Sequence, residues 1–207
     1  MPQSRLNIVG ICGSLEAKGN TMQALRLALE GARLSGADIQ AVELRDYDLP
    51  LLNSPFRHAK GAQHVAKLKN ICKKADGIIV ATPEYHGSCS GALKNALDWM
   101  GFEEFEGKMA GLVGLAGGEM GAFNALSHLR TIFRQVHAWV VPGQVSIARS
   151  HHAFDRNGRL LDPKLGRRLK NLGVEVAKFA LLHKQGKSND FLRLWEGCVA
   201  NPGGEGR

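Results

Sequence analysis

The sequence predicts an α/β fold, a doubly wound five-stranded parallel sheet in the order 2-1-3-4-5 with helices on both faces. Three observations carry this. Five short apolar runs alternate with segments whose apolar residues recur every three or four positions, the signatures of buried strands and amphipathic helices. The chain has 207 residues, enough for one core that folds without disulfides or metals. Small polar loops follow the first and third runs, and in this strand order a ligand crevice opens beyond the carboxyl ends of those two strands.

The elements follow in order. Leu6 to Cys12 is apolar and β-branched, and Gly13 and Ser14 end it in a turn. From Asn20 the apolar residues Met22, Leu25, Leu29 and Ala32 step at helical intervals until Gly36 stops them. Ile39 to Leu44 is the second strand, a helix runs through Val65, Leu68 and Ile71, and Asp76 to Thr82 is the third strand. A helix at Ala92 to Met100, a strand at Lys108 to Ala116 and a helix carrying Phe123, Leu126, Leu129, Phe133 and Val136 come next. Ala138 to Ile147 is the fifth strand, and Leu165, Leu169, Leu172, Val176 and Phe179 mark a last helix. Periodicity is lost beyond Gly186, so one domain is expected over 1–186 and a poorly ordered tail over 187–207.

Composition narrows the function. A hydrophobic share of 44% and a charged share of 22% match globular chains and argue against disorder. The net charge of +8 is spread over helices without interleaved aromatics, so no nucleic-acid partner is expected; the basic surface would instead help gather anionic nucleotides. The longest apolar stretches, such as Gly77 to Ala81, fall far short of the roughly 20 residues that cross a bilayer, and no membrane partner is expected. Polar Met1 to Asn7 runs straight into a strand, leaving no room for a signal peptide, so a cytoplasmic protein is expected. Cys12, Cys72, Cys89 and Cys198 lie far apart and are expected as reduced thiols. His151 and His152 have no third ligand at metal spacing, so no metal is expected.

Two loops could carry chemistry. The first, Gly13 to Thr21, is small, hydroxyl-bearing and placed directly before a helix. There, N–H groups without intrahelical partners and the helix dipole favour an anion, with Ser14, Asn20 and Thr21 as further donors. An ordinary helix start with Asn20 as N-cap accounts for the same residues without a ligand. The second, Thr82 to Gly91, combines stiff Pro83, flat Tyr85 and backbone donors near Gly87 and Ser88, which suits the polar edge of a planar heterocycle. Both loops fall at the predicted switch point.

Pro83, Glu84, Tyr85, His86, Gly87 and Ser88, followed by Gly91, Ala92, Leu93, Lys94, Asn95, Ala96, Leu97, Asp98 and Trp99, resemble the signature of the NADPH-dependent FMN reductase family. The first loop, Gly117 to Gly121, Leu129 with Arg130, and Val141 with Pro142 extend the resemblance from about Leu6 to about Leu182. It implies a flavodoxin-like fold, FMN as cofactor, and NADPH or NADH as hydride donor. It also implies a ping-pong relay to a small acceptor (quinone, azo compound, metal oxyanion, ferric chelate or free flavin), and homodimers or homotetramers with active sites at subunit interfaces. The flavin carries the chemistry, so no catalytic acid or base is implied. Ser14, Gly19, Asn20 and Thr21 would hold the FMN phosphate. Pro83, Glu84, Tyr85, His86, Gly87 and Ser88 would line the isoalloxazine, with Gly117 and Gly118 at its other edge. The chain departs from the pattern at Glu16, where the family usually has Arg, and at His86, where it usually has Asn. Lys18 could offset the carboxylate.

The apolar face of Ala92 to Met100 could be shared between subunits, and Trp99 and Trp139 are expected in the core or an interface. Asp98 is expected on a helix surface, and Cys89 as a packed thiol. The alternatives are an electron-transfer flavodoxin, which the basic charge disfavours, and a non-catalytic interaction module on the same fold.

Overall fold

The structure, a computed structural model, describes residues 5–54 and 59–186. The expected tail, 187–207, lies outside the described residues. The elements are β1 (Asn7–Cys12), α1 (Asn20–Leu34), β2 (Asp38–Glu43), α2 (Ala59–Lys73), β3 (Gly77–Tyr85), β4 (Ser88–Cys89), α3 (Gly91–Asp98), α4 (Phe102–Phe105), β5 (Met109–Leu115), α5 (Phe123–Gln135), β6 (Trp139–Ile147), α6 (Ser150–Ala153) and α7 (Pro163–Gly186). The main strands are all parallel, in the spatial order β2-β1-β3-β5-β6, which is the predicted 2-1-3-4-5 with a short hairpin strand added.

Burial explains the apolar runs. Central β1 and β3 are covered on both sides, so Ile8, Val9, Ile11, Ile78, Ile79 and Val80 all point into protein. One side is closed by α1 and α7 through Leu25, Leu29, Leu172 and Val176. The other is closed by α2, α3 and α5 through Leu68, Leu93 and Phe133, with the rings of Phe105 and Phe133 edge to face at 5.3 Å. The two helices of the first side touch backbone to backbone: a Cβ on Gly31 would overlap the Lys170 carbonyl, and one on Gly173 would overlap the Ala28 carbonyl and lie 2.8 Å from Ala32 N.

Several expectations are corrected. The third strand does not stop at Thr82 but continues through Pro83, Glu84 and Tyr85, then turns at His86 and Gly87 and pairs antiparallel with Ser88 and Cys89. Both turn residues hold positive φ, 51° and 76°, the two-residue turn that matches strand twist. The apolar side of α3 is not open to a second subunit, because Leu93, Ala96 and Leu97 are buried in the chain's own core. Trp99 is half-buried and donates from Nε1 to the Pro50 carbonyl at 2.7 Å, whereas Trp139 stands exposed on the edge strand. Phe123 and Phe179, read as inward by periodicity, are exposed as well. Asp98 sits on the helix surface as expected, 2.6 Å from Lys94.

Edge strand β6 carries an irregularity. Ala110 faces Val140 but Leu112 faces Gln144, so β6 holds two extra residues around Pro142 and Gly143. Arg130 on α5 fixes one side of this bulge by donating to Gln144 Oε1 at 2.7 Å and to the carbonyls of Val141 and Pro142. Glu175 on α7 fixes the other by accepting from Gly143 N.

Candidate functional site

The carboxyl ends of β1, β3 and β5 send three loops into one crevice at the point where the strand order reverses. The first loop is held against the sheet by Gly13 N, which donates to the Ala81 carbonyl at 2.8 Å. Ser14 is buried and its Oγ accepts from Glu16 N at 3.2 Å, leaving its hydroxyl proton free to donate elsewhere. Gly19 is the N-cap of α1, not Asn20 as the helix-cap alternative had it; Gly19 has no side chain with which to cap. Asn20 is instead the first helical residue, and its Nδ2 donates to the Ser150 carbonyl at 2.9 Å, fastening α1 to α6. Among the described residues no hydrogen bond occupies the backbone N–H of Asn20 or of Thr21, the first two of the helix, and the Thr21 hydroxyl lies buried beside them. Glu16 folds across the loop, its Oε2 3.0 Å from where a Cβ on Gly19 would stand.

The second loop is the β3–β4 hairpin. Glu84 Oε2 accepts from Ala125 N at 2.9 Å, so its carboxylate caps α5, whose own N-cap residue Ala122 has no side-chain acceptor. Ser88 Oγ lies 3.1 Å from His128 Nδ1, and a Cβ on Gly87 would lie 3.7 Å from Asn124 Nδ2, so the hairpin leans on α5 along its length. Tyr85 and His86 project outward, Tyr85 57% exposed. In the third loop Gly118 accepts from Arg149 N at 3.0 Å, Arg149 pairs with Glu119, and a Cβ on Gly118 would meet nothing within 4 Å. A Cβ on Gly117 would come 3.5 Å from the His151 ring. Met120, 89% exposed, and Phe123, 63% exposed, stand at the same mouth.

Ser90 joins the first two loops, and the sequence reading passed over it. Buried in the crevice floor, its hydroxyl donates to the Gly13 carbonyl at 2.5 Å and accepts from Leu93 N at 3.1 Å as the N-cap of α3. Its own N–H donates to Thr82 Oγ1 at 3.1 Å. A Ser directly before a helical run is an N-cap signal in sequence, but the bond to Gly13 spans 77 positions and leaves no local trace. His128, Asn124 and Ser150 were missed for the same reason. Of the expected residues, Ser14, Gly19, Asn20 and Thr21 lie in the first loop and the first turn of α1, Pro83 to Ser88 form the hairpin, and Gly117 and Gly118 lie in the loop after β5.

Strained backbone gathers here. Lys18 (φ 57°), His86 (φ 51°) and Arg149 (φ 45°) hold left-handed conformations, which persist where surrounding structure imposes them and cluster at ligand sites. Two hollows of about 470 and 480 Å³ lie elsewhere and contain no residue of the three loops. Burial holds the Cys89 thiol above its ordinary pKa and pushes Cys12 up to about 11 and Cys72 up to about 12, so these stay protonated and inert. Among the described residues no group of His, Cys, Asp or Glu could hold a metal ion, and no helix is long and apolar enough to cross a membrane.

The donor set fits FMN. The paired helix-start N–H groups with the Ser14 and Thr21 hydroxyls suit a phosphate, and the open space at Gly118, where a Cβ would meet nothing within 4 Å, leaves room for a ring.

Known proteins support the same assignment. Residues 6–152 match the model of the family described as NADPH-dependent FMN reductase. The chain is 34% identical over 168 residues to an NAD(P)H-dependent FMN reductase of Pseudomonas aeruginosa, covering 77% of this chain and 86% of that protein. It is 42% identical over 153 residues to an FMN-dependent NADPH-azoreductase of Staphylococcus aureus, covering 72% and 80%. In fold it is similar to a flavoenzyme NAD(P)H:(acceptor) oxidoreductase from Paracoccus denitrificans, with a TM-score of 0.69 at 23% identity over 86% of this chain and 98% of that one. Matched over residues 6–152, this chain belongs to the NADPH-dependent FMN reductase family of oxidoreductases, which use FMN with a nicotinamide donor.

Proposed function

We propose that this chain passes hydride from NAD(P)H, by way of FMN, to a small acceptor such as a quinone, azo compound, metal oxyanion, ferric chelate or free flavin, with donor and acceptor occupying one crevice in turn. The observation that carries this is the juxtaposition, through Ser90, of an anion-ready helix start and a stiff hairpin at the switch point. Ser14, Gly19, Asn20 and Thr21 would hold the phosphate, Asn20 through its backbone because its side chain is engaged with Ser150. Pro83, Tyr85, His86, Gly87 and Ser88 would border the ring on one side and Gly117 and Gly118 on the other, while Glu84 would act by holding the hairpin on α5. FMN supplies the hydride chemistry when bound. The protein's part is to orient the ring and offer donors at its polar edge.

The test is an anaerobic titration of the FMN-loaded protein with NADPH and NADH, followed by steady-state kinetics with a quinone and an azo dye. Bleaching by the nicotinamide, parallel double-reciprocal lines and tighter binding of FMN than FAD are expected. Intersecting lines would mean that both substrates sit in the site together, and FAD binding as tightly as FMN would defeat the assignment of the first loop.

Charge in that loop should show directly. Glu16→Arg removes a carboxylate from beside the phosphate and adds a charge-assisted partner, for a gain of roughly ten-fold in FMN affinity at low salt, shrinking as salt screens it. Lys18→Ala should weaken binding. Indifference of FMN affinity and of NADPH preference to both changes would return Ser14 and Thr21 to purely structural roles.

Self-association as a dimer or tetramer is also proposed, through the crevice mouth and not α3. Tyr85, Met120 and Phe123 stand exposed together there, and burial of such a group is favourable on association. Light scattering at micromolar concentration should give at least twice the chain mass, and Phe123→Ser should lower it; a monomeric parent protein defeats the idea.

A further inference from the structure

Between α1, the first turns of α7 and the segment 158–162 lies a hollow of about 470 Å³, in the size range of small-ligand pockets. Leu27, Leu160 and Pro163 give it an apolar lining. Gly166 leaves it open, since a Cβ there would meet Leu160 Cδ2 at 3.7 Å and nothing nearer. Gly158, at φ 76°, lays the segment against α1, where a Cβ on it would stand 3.3 Å from the Gln23 side chain.

Charge at the rim is unbalanced once partners are assigned. Arg26 pairs with Glu43 at 3.5 Å, and Lys170 with Glu30 at 3.0 Å. Asp162 Oδ1 accepts from Lys164 N at 2.7 Å as α7 begins, and Asp155 Oδ1 accepts from Asn157 N and Arg159 N. All four carboxylates are thus engaged. Arg159 and Arg167 also line the hollow, both exposed, and among the described residues neither guanidinium has a hydrogen bond or an ion pair. Two forks without an anion, beside an apolar wall, match a phosphate monoester on an apolar body. Its three oxygens and charge of about −2 can serve both guanidinium groups, where a carboxylate with two oxygens serves one. We propose that this hollow is an anion site separate from the flavin crevice. It binds a small organic phosphate, with the phosphate held by Arg159 and Arg167 and the body against Leu27, Leu160 and Pro163.

Calorimetry of the FMN-saturated full chain with adenosine 5′-monophosphate tests this, with adenosine and inorganic phosphate as the two halves of the probe. Saturable binding of the monophosphate is expected, roughly ten-fold tighter than either half. Arg159→Ala/Arg167→Ala should weaken it roughly ten-fold; both side chains are exposed and unpaired, so the fold survives their loss. Lys164→Ala/Arg168→Ala removes the same charge from the same end of α7 outside the hollow and should leave binding unchanged. Gly166→Met keeps both arginines, fills the space for the body and should also weaken the monophosphate. FMN affinity should match the parent's in every variant. A monophosphate that does not bind, or that binds the Arg159/Arg167 variant as tightly as the parent, overturns the proposal; the second result places the probe elsewhere, as in the crevice. Equal losses in the two double variants overturn it as a general charge effect. Inorganic phosphate binding as tightly as the monophosphate, or indifference to Gly166→Met, overturns it by leaving a basic surface that takes up any anion.

Discussion

Gly173→Ala is expected to destabilise the protein by about 3 kcal/mol, a loss of roughly 10 °C in melting temperature for a chain of this size. The added methyl would be directed at the Ala28 carbonyl and would lie 2.8 Å from Ala32 N, so its obstacles are backbone atoms of α1 and no side-chain rotation can make room. Either α1 and α7 separate, opening the layer formed by Leu25, Leu29, Leu172 and Val176, or the helix bends. Gly166→Ala is the control in the same helix: the nearest atom to its Cβ is Leu160 Cδ2 at 3.7 Å, and the change should stabilise by about 0.5–1 kcal/mol through helix propensity. Urea denaturation of both, with FMN saturating, reads the difference as a shift in midpoint. Similar midpoints for the two variants would disprove the backbone contact.

Ser90→Ala should cost about 2–3 kcal/mol and lower FMN affinity together with it. The hydroxyl satisfies two buried backbone groups at once, the Gly13 carbonyl and Leu93 N–H, and alanine leaves both without it in a floor that water does not reach. Losing the N-cap frays α3, and losing the Gly13 bond lets the first loop move relative to the hairpin. A roughly ten-fold weaker FMN complex follows if about half of that energy falls on the binding-competent arrangement. Fluorescence quenching measures the affinity and urea midpoints the stability. A variant that is destabilised yet binds FMN as tightly as the parent would show that the loops hold their places without this residue.

The sheet was legible because its signals are local. Apolar runs and helical periodicity reported every main strand and helix, since each buried residue in a two-sided parallel sheet leaves its mark in the sequence of its own element. The strand order followed from the common order of five-stranded doubly wound sheets. Signals failed where a local pattern has two outcomes. Pro83, Glu84 and Tyr85 look like a loop because proline and polar residues end most strands, yet the hairpin pairing carries the strand on to Tyr85. The apolar side of α3 could equally have faced a partner or the chain's own core, and only packing of Leu93, Ala96 and Leu97 decides it. The cross-links of the site, Ser90 to Gly13, Glu84 to Ala125 and Asn20 to Ser150, join positions far apart in the chain and were invisible for that reason. The resemblance named the loops and said nothing of how they are braced.

The bulge in β6 bears on how this protein behaves when concentrated. An edge strand offers unpaired N–H and C=O groups to any neighbouring chain, and an uninterrupted one is a template for sheet-to-sheet stacking and fibre growth. Here the middle of the edge is unusable: Pro142 has no N–H to offer, Gly143 N–H is turned inward to Glu175, and the carbonyls of Val141 and Pro142 are held by Arg130. What remains on either side are short stretches that cannot set a common register with an incoming strand. Arg130→Ala would return two carbonyls to that edge, and its first symptom should be turbidity in refolding or long storage, well before any loss of turnover.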